Sequence, residues 1–224
     1  MDEAVASLRR IGSDAVVEDV WDALDFYRDE VQPRVEAMLD EPLGEYPRHC
    51  TVLWLAYTAG NQGRIASDAV LTRVRESIVW AMRFEENQVL IGGALGALES
   101  VPEPRRNELA LDVFEALGSE SSRRYWLMMK VKTDALMTAV IEALEDFDES
   151  QRAKMAGAFR QFGPADAELL LRHFRPDSPA ADLLVEALGA TRSQEVRPAL
   201  EEVADDPRDA VRGAAARALA TLEA

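Results

Sequence analysis

The C-terminal half of the chain repeats itself, and this limits the possible folds more than any other feature. Ala158-Phe159, Ala187-Leu188 and Ala218-Leu219 fall 29 and then 31 residues apart, while Asp148, Asp177 and Asp206 recur at intervals of 29. Met155 and Leu184 keep the same interval, and "ESSRR" at 120–124 matches "ESQRA" at 149–153. A period of this size marks a small unit that cannot bury its apolar side alone and must stack on copies of itself.

Inside the units the spacing is helical. Apolar positions return every three or four residues, as in Val17, Val20, Trp21, Leu24, Tyr27 and Val31, the stripe of a helix with one buried face. The pattern predicts helices near 2–11, 14–30, 33–40, 47–59, 67–84, 86–99, 104–117, 121–132, 134–146, 149–162, 165–174, 179–188, 194–204 and 207–222. Gly60, Gly118, Gly163 and Gly189 follow apolar runs, where a left-handed C-cap is cheapest for glycine. Asp148 with Gln151 makes a capping-box pattern, and Asp206 can cap a helix with Pro207 in its first turn and Asp209 three residues on. The repeating unit is therefore a helix pair. Gly213, Ala214, Ala215 and Ala218 crowd the last helix, and such small residues let stacked backbones approach where bulk would separate them. Ala187 and Ala218 are expected at buried seams between successive tiers.

The stretch "DDPRDAVRGAAARALATL" resembles the HEAT-repeat family in its short, phycobilin-lyase-like form: an aspartate, a Val-Arg pair, then Ala-Ala-x-Ala-Leu. The resemblance covers residues 120–224 and extends to 86–119 through "GGALGALESV". It implies an all-α fold, a right-handed α-α superhelix (a HEAT-like solenoid) running as one domain over 1–224, with helix pairs over 67–224 and divergent helices over 1–66. In that family the aspartate and arginine link adjacent repeats. Asp206 with Arg212 and Asp146 with Arg152 would do so here, and the link should be missing where Leu183 replaces the arginine. No second helix follows Glu223, so the last helix is expected to be its own cap or an interaction surface.

A formal net charge of -16 and a pI near 4.6 oppose binding to the phosphate backbone, which needs cations to displace counterions. Nucleic acid is not an expected partner; a protein with a basic surface is. Lysine occurs only as Lys130, Lys132 and Lys154. Two readings fit that bias: a halophile whose acidic surface is screened by molar salt, or arginine codons favoured by a GC-rich genome. The single cysteine, Cys50, leaves no internal disulfide and no Cys-x-x-Cys arm for zinc, which fits the cytoplasm. Residues 1–30 are acidic and amphipathic, unlike a secretory signal, and the apolar run "VLIGGALGAL" stops at Glu99, short of a membrane span.

Candidate chemistry is sparse. His49 and Cys50 are adjacent, but neighbours on a helix point about 100° apart, and the other histidine, His173, lies in a distant repeat; a cysteine on an apolar face is the expectation. "IGGALG" at 91–96 lacks the Gly-Lys-Ser/Thr of a phosphate loop and the length of a spanning helix, so Gly92 and Gly96 are expected to serve close helix packing. Trp21, Trp54, Trp80, Trp126, Tyr57 and Phe84 fall on apolar faces and are assigned to the core; exposure of any would make the N-terminal half the docking surface. Glu85 with Glu86, and Asp205 with Asp206, are expected to be solvated acid.

Polar residues of the second helices fall in register. Glu142, Arg172 and Glu201 form one row and Thr138, Glu168 and Arg197 another. They form either a ladder of surface ion pairs or a charged, concave protein-binding face. The reading is a non-catalytic scaffold or adaptor that uses an acidic solenoid surface and needs neither cofactor nor metal. Two enzymatic alternatives come with the resemblance: bilin lyases, and alkylpurine DNA glycosylases, for which a patch around Arg123, Arg124, Lys130 and Lys132 would be the footprint.

Overall fold

The computed structural model describes residues 2–12, 17–61, 68–83, 88–118, 123–144 and 147–223. Among them every regular element is a helix: α1 (Asp2–Arg10), α2 (Val17–Phe26), α3 (Arg28–Met38), α4 (Glu45–Asn61), α5 (Asp68–Arg83), α6 (Gln88–Glu99), α7 (Arg105–Leu117), α8 (Arg124–Lys130), α9 (Asp134–Ala143), α10 (Glu149–Phe159), α11 (Ala167–His173), α12 (Ala181–Thr191), α13 (Arg197–Glu202) and α14 (Asp209–Glu223). Each predicted helix has its counterpart. The chain divides into two compact units, Met1–Gly118 and Ser119–Ala224.

The second unit is built in two layers. One layer stacks α8 on α10, α10 on α12 and α12 on α14; the other sets α9 beside α11 and closes α13 onto α12 and α14. This is the helix-pair stack that the period predicts. Its tightest seam joins α12 to α14, where Ala187, Ala214, Ala215 and Ala218 are buried with Leu184 and Leu188. Each fully buried leucine contributes about 1.5–3 kcal/mol, but only if the backbones come close enough to exclude water. Gly189 provides that approach. A Cβ on it would sit 2.5 Å from the Cβ of Ala218 and 2.9 Å from its Cα. Gly189 is thus a packing residue inside α12 and not the expected cap; the left-handed cap is Arg192, at φ 55° and ψ 19°. Gly213, expected at the seam, is half-buried, and its nearest neighbour is the Arg217 guanidinium on its own helix.

Other helix ends divide between expectation and correction. Gly118 ends α7 with φ 68°. Gly60 lies within α4, and Gly163 is extended and leads into the next helix. Asp148 accepts from the N–H of Gln151 at 2.8 Å while Gln151 Oε1 accepts from the N–H of Asp148 at 3.1 Å, the full capping box, worth about 1 kcal/mol. Asp206 Oδ1 accepts from the Arg208 N–H at 2.9 Å.

The links between tiers use other residues than the resemblance implies. Arg212 donates to the Asp206 main-chain carbonyl at 2.8 Å and pairs with Asp209, staying within its own turn. Arg208 reaches back, donating to the carbonyls of Ser178 at 2.9 Å and Pro176. Arg152 pairs with Asp182 of α12 at 2.7 Å, one residue before Leu183, so the tier expected to lack a link is tied to its neighbour. Asp146, its expected partner, lies outside the described residues.

The first unit packs α4, α5 and α6 against one another, with α7 on α5 and α1 to α3 gathered against α4 and α6. Two glycines of "IGGALG" make this possible. A Cβ on Gly93 would overlap the Trp21 ring, and one on Gly96 would lie 3.3 Å from Tyr57 Cδ2. Close packing explains the motif, although the pair that carries it is Gly93 and Gly96; Gly92 has open space. The break between the second and third helices falls at Tyr27, with Pro33 inside α3 rather than opening it.

Candidate protein-binding surface

The in-register polar residues of the second unit lie on α9, α11 and α13, as the period requires. Arg172 holds Asp134 of α9 through two hydrogen bonds of 3.0 Å and Glu168 of its own helix through a third of 3.0 Å. His173 Nε2 meets the same Asp134 carboxylate at 2.9 Å. The Arg172 hydrogen bonds, and then that of His173, hold the Asp134 carboxyl below its ordinary range. Thr138 donates to the Asp134 main-chain carbonyl at 2.9 Å. Arg197 lies 3.8 Å from both Glu201 and Glu223. Glu142 is exposed, with no ion pair among the described residues. Pairing therefore runs within a helix, Glu168 to Arg172 and Arg197 to Glu201, and across to Asp134 or Glu223. It does not run along the rows that join Glu142, Arg172 and Glu201. Asp134, which spacing alone did not single out, is the hub; its place at the start of α9, one helix away from Arg172, is visible only in three dimensions.

The His49–Cys50 pair has no catalytic geometry. Cys50 is buried, and desolvation pushes its thiol up to about 12; a thiolate nucleophile needs the opposite environment. His49 Nδ1 lies 2.9 Å from Ser77 Oγ, and Ser77 in turn donates to the Arg73 carbonyl at 2.9 Å. With its own proton engaged, that hydroxyl accepts from His49, so the imidazole is a packing donor stacked on Trp80 with ring centroids 4.7 Å apart. Desolvation first, and the nearby Arg48 second, lower the His49 pKa.

The aromatic residues divide unevenly. Trp54 is buried and donates Nε1–H to Asp25 at 2.9 Å; Trp21, Trp80 and Trp126 are half-buried. Tyr57 is 40% exposed, and Phe84 lies outside the described residues, as do Glu85 and Glu86. The marked exception is a residue that spacing did not flag: Phe26, 80% exposed, whose ring meets that of Tyr27 edge-on at 4.7 Å. Glu18 and Asp22 precede Phe26 by eight and four residues on the same face of α2, and Asp29 and Glu30 open α3. All four carboxylates are exposed and have no ion pair among the described residues. The dipoles of α2 and α3 favour Glu18, Asp29 and Glu30 in their first turns. Folding gives no such reason for Asp22, placed i+4 from Glu18 where like charges repel, or for Phe26.

The basic patch at 123–132 is largely committed to internal contacts. Arg123 is buried and lies over the Trp126 ring at 5.4 Å, while Lys132 pairs with Asp166 at 2.7 Å and covers the Phe162 ring at 4.7 Å. Asp206 is bound to the Arg208 side chain and backbone, which hold its carboxyl at about 2, so of the Asp205–Asp206 pair only Asp205 is exposed acid. Among the described residues no three His, Cys, Asp or Glu side chains are grouped to hold a metal, and no helix is long and apolar enough to cross a membrane.

A family model for HEAT repeats matches residues 137–220, the tiers from α9 to α14. The match is to HEAT repeats in general. No curated protein and no solved structure matches the chain.

Proposed function

We propose that the chain is a non-catalytic scaffold or adaptor of the reducing cytoplasm that captures a protein with a basic surface. The observation that carries this reading is Phe26: an 80% exposed aromatic ring beside Tyr27 and amid carboxylates with no internal cations to answer them. An arginine- or lysine-bearing segment would supply both missing contacts, a cation over the ring and ion pairs at its rim. The charge balance points the same way, since Met1–Gly118 carries 22 acidic and 11 basic residues against 19 and 14 in Ser119–Ala224. In this reading the second unit is a solenoid of the short, phycobilin-lyase-like kind. Thr138, Glu142, Glu168, Arg172, Arg197 and Glu201 then offer a second contact face, whose solvent-exposed ion pairs are weak enough to be exchanged for pairs with a partner. Neither the bilin-lyase nor the DNA-glycosylase reading gains support from the buried thiol of Cys50 or the committed Lys132.

The test is affinity capture from the native cell by the full chain and by its Phe26→Ala and Asp22→Asn variants, at low and at moderate salt. The expected partner is basic, elutes with salt, and is depleted by both variants. Capture unaffected by either substitution, or insensitive to salt, would overturn the assignment to α2 and α3.

A further inference from the structure

In the second unit a cavity of about 370 Å³ opens over α12 and α14. Its floor is small by steric necessity, since Gly189 and Ala218 meet there with Ala190 and Ala214 beside them. Its walls are cationic. Arg160 comes from the end of α10, Arg192 from the end of α12 and Arg217 from within α14. Glu186 is the one carboxylate in the lining, and Arg217 already donates to it at 2.8 Å. Arg160 and Arg192 have no carboxylate partner among the described residues, in a chain with 41 acidic and 25 basic side chains.

Folding does not call for this arrangement. Arg192 occupies left-handed backbone, with φ 55°, where glycine or asparagine costs least and a longer side chain adds strain. A cation at a helix C-terminus complements the dipole. That accounts for one arginine per helix end, but not for two such ends and a mid-helix arginine sharing one cavity.

We propose that this cavity binds a small phosphate-bearing anion, held by the guanidinium groups of Arg160 and Arg192, with Arg217 turning from Glu186 to the ligand. Guanidinium forks match phosphate oxygens two at a time. The volume lies near the lower bound of small-molecule sites, about 300 Å³, which suits a pyrophosphate or a compact phosphoester. The site is independent of the partner surface on α2 and α3.

The test is titration calorimetry of the full chain with inorganic phosphate and with pyrophosphate at constant ionic strength. Saturable one-site binding is expected, tighter for pyrophosphate. Arg192→Gly should weaken it at least tenfold while thermal stability is kept or raised, because glycine relieves the backbone strain; loss of binding then cannot be loss of fold. Glu186→Gln should tighten binding several-fold by freeing Arg217. Lys154→Ala removes an exposed cation outside the cavity and should change nothing. Absence of saturation, equal losses in the Lys154 and Arg192 variants, or full affinity in Arg192→Gly would overturn the proposal.

Discussion

Gly189→Ala tests the stacking argument at a single atom. In an unpacked helix this change stabilises by about 0.8–1.0 kcal/mol, because alanine is the better helix former. At the α12–α14 seam the new Cβ would stand 2.5 Å from the Cβ of Ala218 and 2.9 Å from its Cα. The second contact is to main chain, so no rotamer change can relieve it and the two helices must separate. Overpacking of this kind costs about 1–3 kcal/mol, and a backbone clash belongs in the upper half of that range. Subtracting the propensity gain leaves a net loss of about 1–2 kcal/mol. For a unit of roughly a hundred residues, where each kcal/mol is worth about 4–8 °C, that is a fall of about 4–16 °C in Tm, read by circular dichroism at 222 nm. Gly157→Ala is the control: it lies within α10 with nothing inside 4 Å of the added atom, so it should raise Tm. Pairing Gly189→Ala with Ala218→Gly should recover part of the loss, a positive coupling in a double-mutant cycle. If Gly189→Ala raises Tm as Gly157→Ala does, the seam is not sterically limited and the explanation of the alanine pattern fails.

Gly93→Val should displace Trp21, since even a Cβ there overlaps the indole; a red shift of tryptophan emission and a loss of about 1–3 kcal/mol are expected, and unchanged emission would contradict the packing. The Asp206 carboxyl sits at about 2 through its hydrogen bonds to the Arg208 side chain and then its N–H, against about 3.9 in an unfolded chain. Its contribution is complete above the unfolded value and is lost as pH falls through about 2; Asp206→Asn should therefore lower the neutral plateau and make the acid limb of stability shallower between pH 4 and 2, the two proteins converging below about pH 2. Under the halophile reading, Tm should climb from dilute buffer to molar KCl, where screening shortens to about 3 Å; a flat response assigns the arginine bias to codon usage.

The helices were legible because a period of about thirty residues and apolar spacing report the same thing twice. What was not legible turns on the identity of the neighbour. A glycine at the end of an apolar run reads equally as a cap or as a contact, and only the position of Ala218 decides for Gly189. Pro33 invites a helix start because proline is tolerated there. The break came at Tyr27 instead, and the Asp29 carbonyl that Pro33 leaves without its helical donor belongs to an exposed residue that water can reach. The link through Arg208 was obscured by the more conspicuous Asp206–Arg212 spacing. Its signal was the position of Arg208 just ahead of α14, from which a long side chain can turn back to the carbonyls of the preceding tier. Phe26 escaped notice because it sits between Tyr27 and the apolar stripe of α2, where periodicity makes no distinction between the last buried residue and the first exposed one.

The two proposed binding activities carry opposite charges, and this separates them in one experiment. A basic partner at Phe26 gains both from the local carboxylates and from the net charge of -16, so raising KCl removes short- and long-range attraction together and binding should weaken steeply. An anion entering the arginine cavity is attracted only at contact and is repelled by the rest of the chain. At about 0.1 M salt the screening length is about 10 Å, falling to about 3 Å at 1 M. Added salt therefore removes the distant repulsion at the same time as it weakens the contacts, and the dependence should be shallow. Measured side by side on the same full chain, a partner affinity that falls several times faster with KCl than pyrophosphate affinity is the expected result. Equal slopes would mean that both ligands respond to the same field, and that the arginine cavity has no electrostatics of its own.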